Sequence, residues 1–204
     1  MRKTLNMGVI LLAAGSSSRL GEPKQLVEFK GKTLLQNTMD CLSPFLFDCR
    51  ILILGAQKEK IQKEIKTSGF EVLTNTSWKE GMSTSLKMGI DYIQKKYPQI
   101  ENILIFLCDQ PFVSKDLIQS LIDKHKNNNS GITASLYGDT LGVPVVFGSS
   151  FIPELLELSG DQGARKIINK YKEEVEFVEF EKGEFDVDSP EDLKLLKELN
   201  QELS

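Results

Sequence analysis

The chain has little of what most side-chain chemistry relies on. Its 204 residues include one histidine, one tryptophan and three cysteines. A Ser-His-Asp or Cys-His relay would have to be built on His125. That residue sits in Lys124-His125-Lys126-Asn127-Asn128-Asn129, which reads as a polar helix end running into a loop, so a solvated surface imidazole is expected there. Cys41, Cys49 and Cys108 are odd in number and lack metal-site spacing, which points to plain thiols in a reducing compartment. No apolar run approaches the length of about 20 residues that a membrane span needs. Residues 1–6 lead into a glycine and a strand rather than a signal-type apolar region. A cytoplasmic protein with no membrane contact is expected. A formal net charge of −4 gives no electrostatic case for nucleic acid. Neither G-x-x-x-x-G-K-[ST] nor G-x-G-x-x-G can be placed after the first apolar run, which argues against a Walker ATPase or a dinucleotide-binding dehydrogenase.

What is present is ordinary globular composition with strong patterning. With 40% hydrophobic and 26% charged residues, and no repeat, low-complexity tract or linker, residues 1–204 are expected to form one domain with a substantial core. Strand-type runs at 7–13, 50–54, 70–74 and 102–108 alternate with helical patterns at 34–42, 58–66, 82–97 and 115–126. This predicts a single-domain, Rossmann-like α/β fold with a mainly parallel sheet flanked by helices. Residues 51–54 and 103–107 are continuously apolar, as strands buried on both faces are. Added strands are expected at 131–136, 143–147 and 175–180, some of them antiparallel, with helices at 153–158, 164–171 and 190–199.

The most informative stretch is Leu12-Ala13-Ala14-Gly15-Ser16-Ser17-Ser18-Arg19, a strand that breaks into a small-residue loop. Ala14 and Gly15 let backbone N–H groups approach a ligand, the serines add short donors, and Arg19 supplies a fixed positive charge suited to a triphosphate. An ordinary strand-to-helix turn uses the same residue types. Lys24 adds a second cation to this glycine-bearing segment.

In Leu107-Cys108-Asp109-Gln110-Pro111-Phe112 an apolar strand runs into a carboxylate, and Pro111 prevents simple continuation. Asp109 reads either as a turn residue or as a Mg²⁺ ligand, because a hard cation takes carboxylate oxygen and bridges to nucleotide phosphates. Ser114 is the better cap for the following helix. Further on, Ser189, Pro190 and Asp192 form a helix start, whereas Asp186 and Asp188, if extended, point to one side. Asp188 is favoured as a metal ligand, with Asp186 close behind. Finally, Trp78 precedes Gly81 and the hydroxyl residues Ser83, Thr84 and Ser85 at a predicted helix start, a natural place for an anionic group. Packing for Trp78 and capping for Ser83 are the alternatives.

Residues 11–21, L-L-A-A-G-S-S-S-R-L-G, together with P-K-Q-L at 23–26, resemble the signature loop of the MobA/MocA nucleotidyltransferases of molybdenum cofactor synthesis. Asp109-Gln110-Pro111 and the D-x-D-[ST]-P-E-D segment at 186–192 are similar to motifs of the same family. The cytidylyl branch is resembled by N-x-x-W-x-x-G-M-S-x-S-L at 75–86, G-x-P-V-x-F at 142–147 and G-D-x-G-A-R at 160–165, so the likeness runs from about residue 8 to 193. Gln25 stands where many members carry proline or leucine. The resemblance implies a nucleotide-diphospho-sugar transferase-like fold in which Leu12, Ala13, Ala14, Gly15, Ser16, Arg19, Lys24 and Asp109 hold the nucleotide. It further implies that Arg19, Lys24 and Asp109 act in catalysis, and that Mg²⁺ is bound by Asp109 with Asp188 or Asp186. Asn75, Trp78, Gly81, Ser83, Ser85, Gln110, Gly163 and Arg165 are implied on the acceptor side.

The implied reaction is transfer of CMP from CTP to the terminal phosphate of molybdopterin cofactor, with release of pyrophosphate. A phosphate monoester is already an anionic nucleophile, so no protein nucleophile is required. Ala14, in place of the second glycine of the guanylyl pattern, reads as a methyl restricting the base and favouring CTP over GTP. A guanylyltransferase on the same cofactor, a sugar-phosphate nucleotidyltransferase and a non-catalytic cofactor carrier are the alternatives. Transient contact with a molybdenum hydroxylase or its chaperone is the macromolecular partner the family implies.

Overall fold

The computed structural model describes residues 6–67, 69–127 and 131–202. The readings of residues 1–5 and of Asn128-Asn129 fall outside these. Strands at Met7–Ala13 (β1), Cys49–Leu54 (β4), Glu71–Thr74 (β5), Asn102–Leu107 (β6), Ile132–Tyr137 (β7), Thr140–Gly148 (β8) and Glu176–Glu179 (β9) form one sheet in the order β5-β4-β1-β6-β8-β7-β9. β1 pairs in parallel with β4 and β6, and β4 with β5; β8 runs antiparallel to β6 and β7, and β9 is parallel to β7. The mainly parallel sheet with antiparallel additions is as expected. A two-residue hairpin, Glu28–Phe29 (β2) with Lys32–Thr33 (β3), was not foreseen; segments this short show no period to read.

The continuous apolar strands are split by the pleat. Ile10 and Leu12 of β1 face one core with Ile51 and Ile53 of β4 and Ile103 and Ile105 of β6, whereas Val9 and Leu11 face the other with Leu52 and Leu54 and with Leu104 and Phe106. The first core is closed by the helices Met82–Lys96 (α3), Ile152–Glu157 (α5) and Ala164–Lys170 (α6), and the second by Leu34–Leu42 (α1), Lys58–Glu64 (α2) and Lys115–Lys126 (α4). Observed bounds differ from the predicted ones by a few residues at most. Thr33 and Ser114 accept hydrogen bonds from the third residue beyond them and start α1 and α4. No helix among the described residues is long and apolar enough to cross a membrane.

A third, smaller core is the one that shapes the site. Leu20, Val27, Phe29 and Leu34, from early in the chain, pack with Val187 and Leu196, from its last part. Ser189 and Asp192 then start the final helix, Pro190–Glu202 (α7), with a reciprocal cap: Asp192 N–H donates to Ser189 Oγ at 3.2 Å and Ser189 N–H to the Asp192 carboxylate at 2.8 Å.

His125 corrects the sequence reading. Instead of standing in solvent it is buried, with its ring nitrogens 3.0 Å from Thr133 Oγ1 and 2.9 Å from Asn102 Oδ1. It lies one turn beyond Leu121 and Ile122 on the apolar face of α4, and burial pushes its pKa down to about 4. The unfolded imidazole titrates near 6.5, so between these values the unfolded chain binds the extra proton. Stability fully present above pH 6.5 is therefore expected to fall by up to about 3 kcal/mol as pH drops towards 4. Denaturant unfolding across this range should show that loss in the native protein and a shallower one in His125→Gln; equal slopes would refute the assignment.

Candidate active site

In open α/β sheets ligands lie beyond the carboxyl ends of the strands. Here a cleft of about 320 Å³ opens at the ends of β1 and β6, within the range of small-molecule sites. The loop after β1 lines it from Leu12 to Ser16, with Lys24 and Gln25, Asp109 follows β6, and Trp78, Gly81, Ser85 and Asp161 come from later segments.

The loop after β1 is shaped from below. Ala56 N–H donates to Ala14 O at 3.0 Å, and this approach requires that Gly55 have no side chain. A Cβ there would lie 2.7 Å from Ala14 O, 2.8 Å from Trp78 Cβ and 2.9 Å from Ala14 Cβ. Ala14 is buried and lines the cleft, and the space beside its methyl that a Gly55 side chain would fill also borders Trp78 Cβ. Gln25, to which no role had been read, is almost fully buried, and its amide nitrogen donates to Ala13 O at 2.9 Å and Gly15 O at 3.0 Å. Ser17, in the left-handed region at φ 54°, accepts from Lys24 N–H at 3.0 Å and closes the loop.

Lys24 then reaches across the cleft. Its Nζ lies 2.5 Å from Asp109 Oδ2 and 2.7 Å from Asp188 Oδ1, while Arg19 meets Asp188 Oδ2 at 2.9 Å. Burial works against the Lys24 charge, but Asp109, with Asp188, outweighs it and holds the ammonium above its ordinary pKa. The Arg19 side chain is 75% exposed, so its pair contributes little to stability. Asp188 is brought here by its neighbour: Val187 is fully buried, and its N–H donates to Asp109 O at 3.1 Å. Residues 186–188 are not a strand, so the expected convergence of Asp186 and Asp188 arises from this anchor and not from strand alternation. Asp186 is partly buried with Oδ1 unpartnered, and burial, then the charges of Asp109 and Asp188, pushes its carboxyl up to about 7. Cys108 is buried and its thiol is pushed up to about 12, first by burial and then by Asp109, as fits an inert thiol.

Several acceptor-side residues have other duties. Asn75 is a staple: its amide donates to Thr84 Oγ1 and Ser85 Oγ, both at 2.8 Å, and its oxygen accepts from Ser77 N–H at 2.9 Å. Ser83 is buried, and its N–H goes to Gly160 O at 3.1 Å, so the start of α3 spends donors internally where an anion site was expected. Gln110 is buried and ties Val143 O to Gly183 O, each at 3.2 Å. Gly163 packs beside Met82, and Arg165 is exposed, with its guanidinium 3.5 Å from Thr140 Oγ1. None of these five lines the cleft; Asp161, Lys79 and Met82 do, and had not been singled out.

With this geometry in hand, comparison with known proteins is decisive. Residues 9–175 match the MobA-like NTP transferase domain. The chain belongs to that family. Among relatives of the family, nicotine blue oxidoreductase of Paenarthrobacter nicotinovorans is 28% identical over 79% of this chain and 80% of its own. A probable molybdenum cofactor guanylyltransferase of Natranaerobius thermophilus is 28% identical over 61% of this chain, which spans 58% of that protein's length. Among solved structures, Rv0371c of Mycobacterium tuberculosis superposes with a TM-score of 0.83 at 30% identity, covering 97% of this chain and 100% of its own. A second structure of Rv0371c is a complex with manganese.

The donor set here suits such a cation in its chemistry. Asp109 Oδ1 and Asp186 Oδ1 are buried acceptors without hydrogen-bond partners, and the Lys24 ammonium already sits between Asp109 and Asp188. Carboxylate oxygens are what hard divalent cations take. Among the described residues no group of three metal-ligating side chains is gathered, and the Lys24 ammonium stands between Asp109 and Asp188. Replacing Lys24 by Met leaves Asp109 charged and mostly buried, and is expected to destabilise the protein by about 3–5 kcal/mol. Adding Asp109→Asn should restore most of that loss. A double-mutant cycle by denaturant unfolding measures it, and a loss under about 0.5 kcal/mol for Lys24→Met would show that the pair is no more than a solvated contact.

Proposed function

We propose that this protein transfers a nucleoside monophosphate from a nucleoside triphosphate to the terminal phosphate of molybdopterin cofactor, with CTP as the preferred donor. The observation that carries the reading is Lys24, held at the end of a small-residue loop between carboxylates from two distant segments, in a MobA-like chain. The guanylyltransferase names among the relatives support the acceptor. The likeness to nicotine blue oxidoreductase raises an oxidoreductase as a second reading. The cation-bearing loop and facing carboxylates favour phosphate chemistry over it.

In this mechanism the backbone N–H groups after β1 and the Arg19 and Lys24 side chains hold the triphosphate and offset the charge that develops on it. Trp78 and Ser85 border the space across from the loop. The acceptor phosphate attacks the α-phosphorus, pyrophosphate leaves, and the protein's contribution is alignment and charge neutralisation. Asp109, with Asp188 or Asp186, would hold Mg²⁺ or Mn²⁺, which supplies positive charge to the phosphates as Lys24 turns from the carboxylates to the nucleotide.

Asp109→Asn is expected to lower metal-dependent turnover by about 100- to 1000-fold with the fold intact, measured as pyrophosphate release with molybdopterin cofactor and checked by circular dichroism. Unchanged turnover would overturn the role of Asp109. In competition the unmodified protein is expected to use CTP faster than GTP, and Ala14→Gly to narrow the ratio, within about 1–3 kcal/mol. Faster GTP use would move the assignment to a guanylyltransferase. Use of neither nucleotide, with the cofactor still bound, would make the protein a carrier.

A further inference from the structure

Gln25 is an expensive residue to keep where it is. Its side chain is 1% exposed, and its Oε1 is buried without a hydrogen-bond partner, a state that costs stability. Its orientation is not ambiguous: both polar neighbours, Ala13 O and Gly15 O, are carbonyls, so the nitrogen must face them. One amide group thus ties down the two carbonyls that flank Ala14, while Ala56 N–H ties down the carbonyl of Ala14 itself.

In a trans peptide unit the carbonyl and the following N–H point in opposite directions. Anchoring the carbonyls of Ala13 and Gly15 therefore turns the N–H groups of Ala14 and Ser16 away from Gln25, while the Ala56 contact turns the N–H of Gly15 away from Ala56. Among the described residues no hydrogen bond engages the N–H of Gly15 or Ser16. All three residues line the cleft. Backbone N–H groups that line a cleft and have no internal partner are donors for an anion.

We infer that Gln25 is a positioning residue that pre-orients the backbone donors of Ala14 and Ser16 towards the phosphate chain of the nucleotide, acting through the loop carbonyls that it holds. This rests on the nucleotide-binding reading above and adds to it the device that sets the loop. Because the loop is aimed before the ligand arrives, its ordering is not charged against binding.

The test separates phosphate binding from binding in general. Affinities for CTP with Mg²⁺ and for cytidine are measured by competition against a fluorescent nucleotide, in the unmodified protein and in Gln25→Met, which fills similar space without a donor. CTP affinity is expected to fall about 10- to 100-fold and cytidine affinity less than about 2-fold, with a thermal midpoint within a few degrees of the original. A second variant, Gln25→Glu, keeps the side-chain length. Its carboxylate cannot donate to the carbonyls, so CTP binding should be weak at pH 8 and recover at pH 5.5, relative to Gln25→Met at the same pH, as the protonated acid regains one donor. Equal losses for CTP and cytidine, or no loss for either, would overturn the inference and leave the nucleotide reading standing. Failure of the unmodified protein to bind any nucleoside triphosphate would overturn both.

Discussion

A single ammonium group organises the functional end of this molecule. Lys24 Nζ draws together Asp109, at the end of a central strand, and Asp188, which precedes the last helix. Asp186 adds a third carboxyl nearby, one whose pKa is raised first by burial and then by the other two. Carboxylates this close, and partly withdrawn from water, repel one another unless a cation stands among them. The lysine meets that need, and the same charge arrangement is what a divalent cation with a bound triphosphate would satisfy. On the proposed function, one cation would replace another here while carboxylates and loop stay where the fold has put them.

The scaffold makes that constancy affordable. β1, β4 and β6 are apolar on both faces and locked between two helix layers, so polar groups appear only where the strands end. Loops leaving rigid parallel strands are the usual seat of binding residues. Here those loops are fastened in turn: Ala14 to Ala56, Ala13 and Gly15 to Gln25, and Val187 to Asp109.

The fold was legible because its signals are long and periodic. Continuous apolar runs marked the central strands, and Ser114 and Ser189 marked helix starts that the structure bears out. At the site, residue types with a chemical reason to be there, Arg19, Lys24, Asp109 and Asp188, were found together. Roles on the acceptor side are harder to read. Asn75, Gln110 and Ser83 occur in motif-like segments, yet their hydrogen bonds run to the protein itself, and a motif alone does not say which way an amide faces. His125 was misjudged because Lys124 and Lys126 on either side of it are exposed on α4, whereas its own spacing from Leu121 and Ile122 pointed inward. Gly55 and Gln25 were missed since their importance lies in contacts across the chain: a methyl that must be absent, and two carbonyls that no local pattern reveals.

The third core joins Leu20, Val27, Phe29 and Leu34 to Val187 and Leu196, and the Lys24–Asp188 pair spans 164 positions of sequence. On the ribosome the N-terminal part of the chain emerges long before the segment that completes it. The nascent sheet can lay β4 and β6 beside β1 while the face that Val187 will cover is still bare and Lys24 has Asp109 as its one carboxylate neighbour of the pair. Assembly of the reactive end is therefore tied to the last stage of synthesis, and a chain stalled before residue 187 carries a nearly finished sheet with an unfinished cleft.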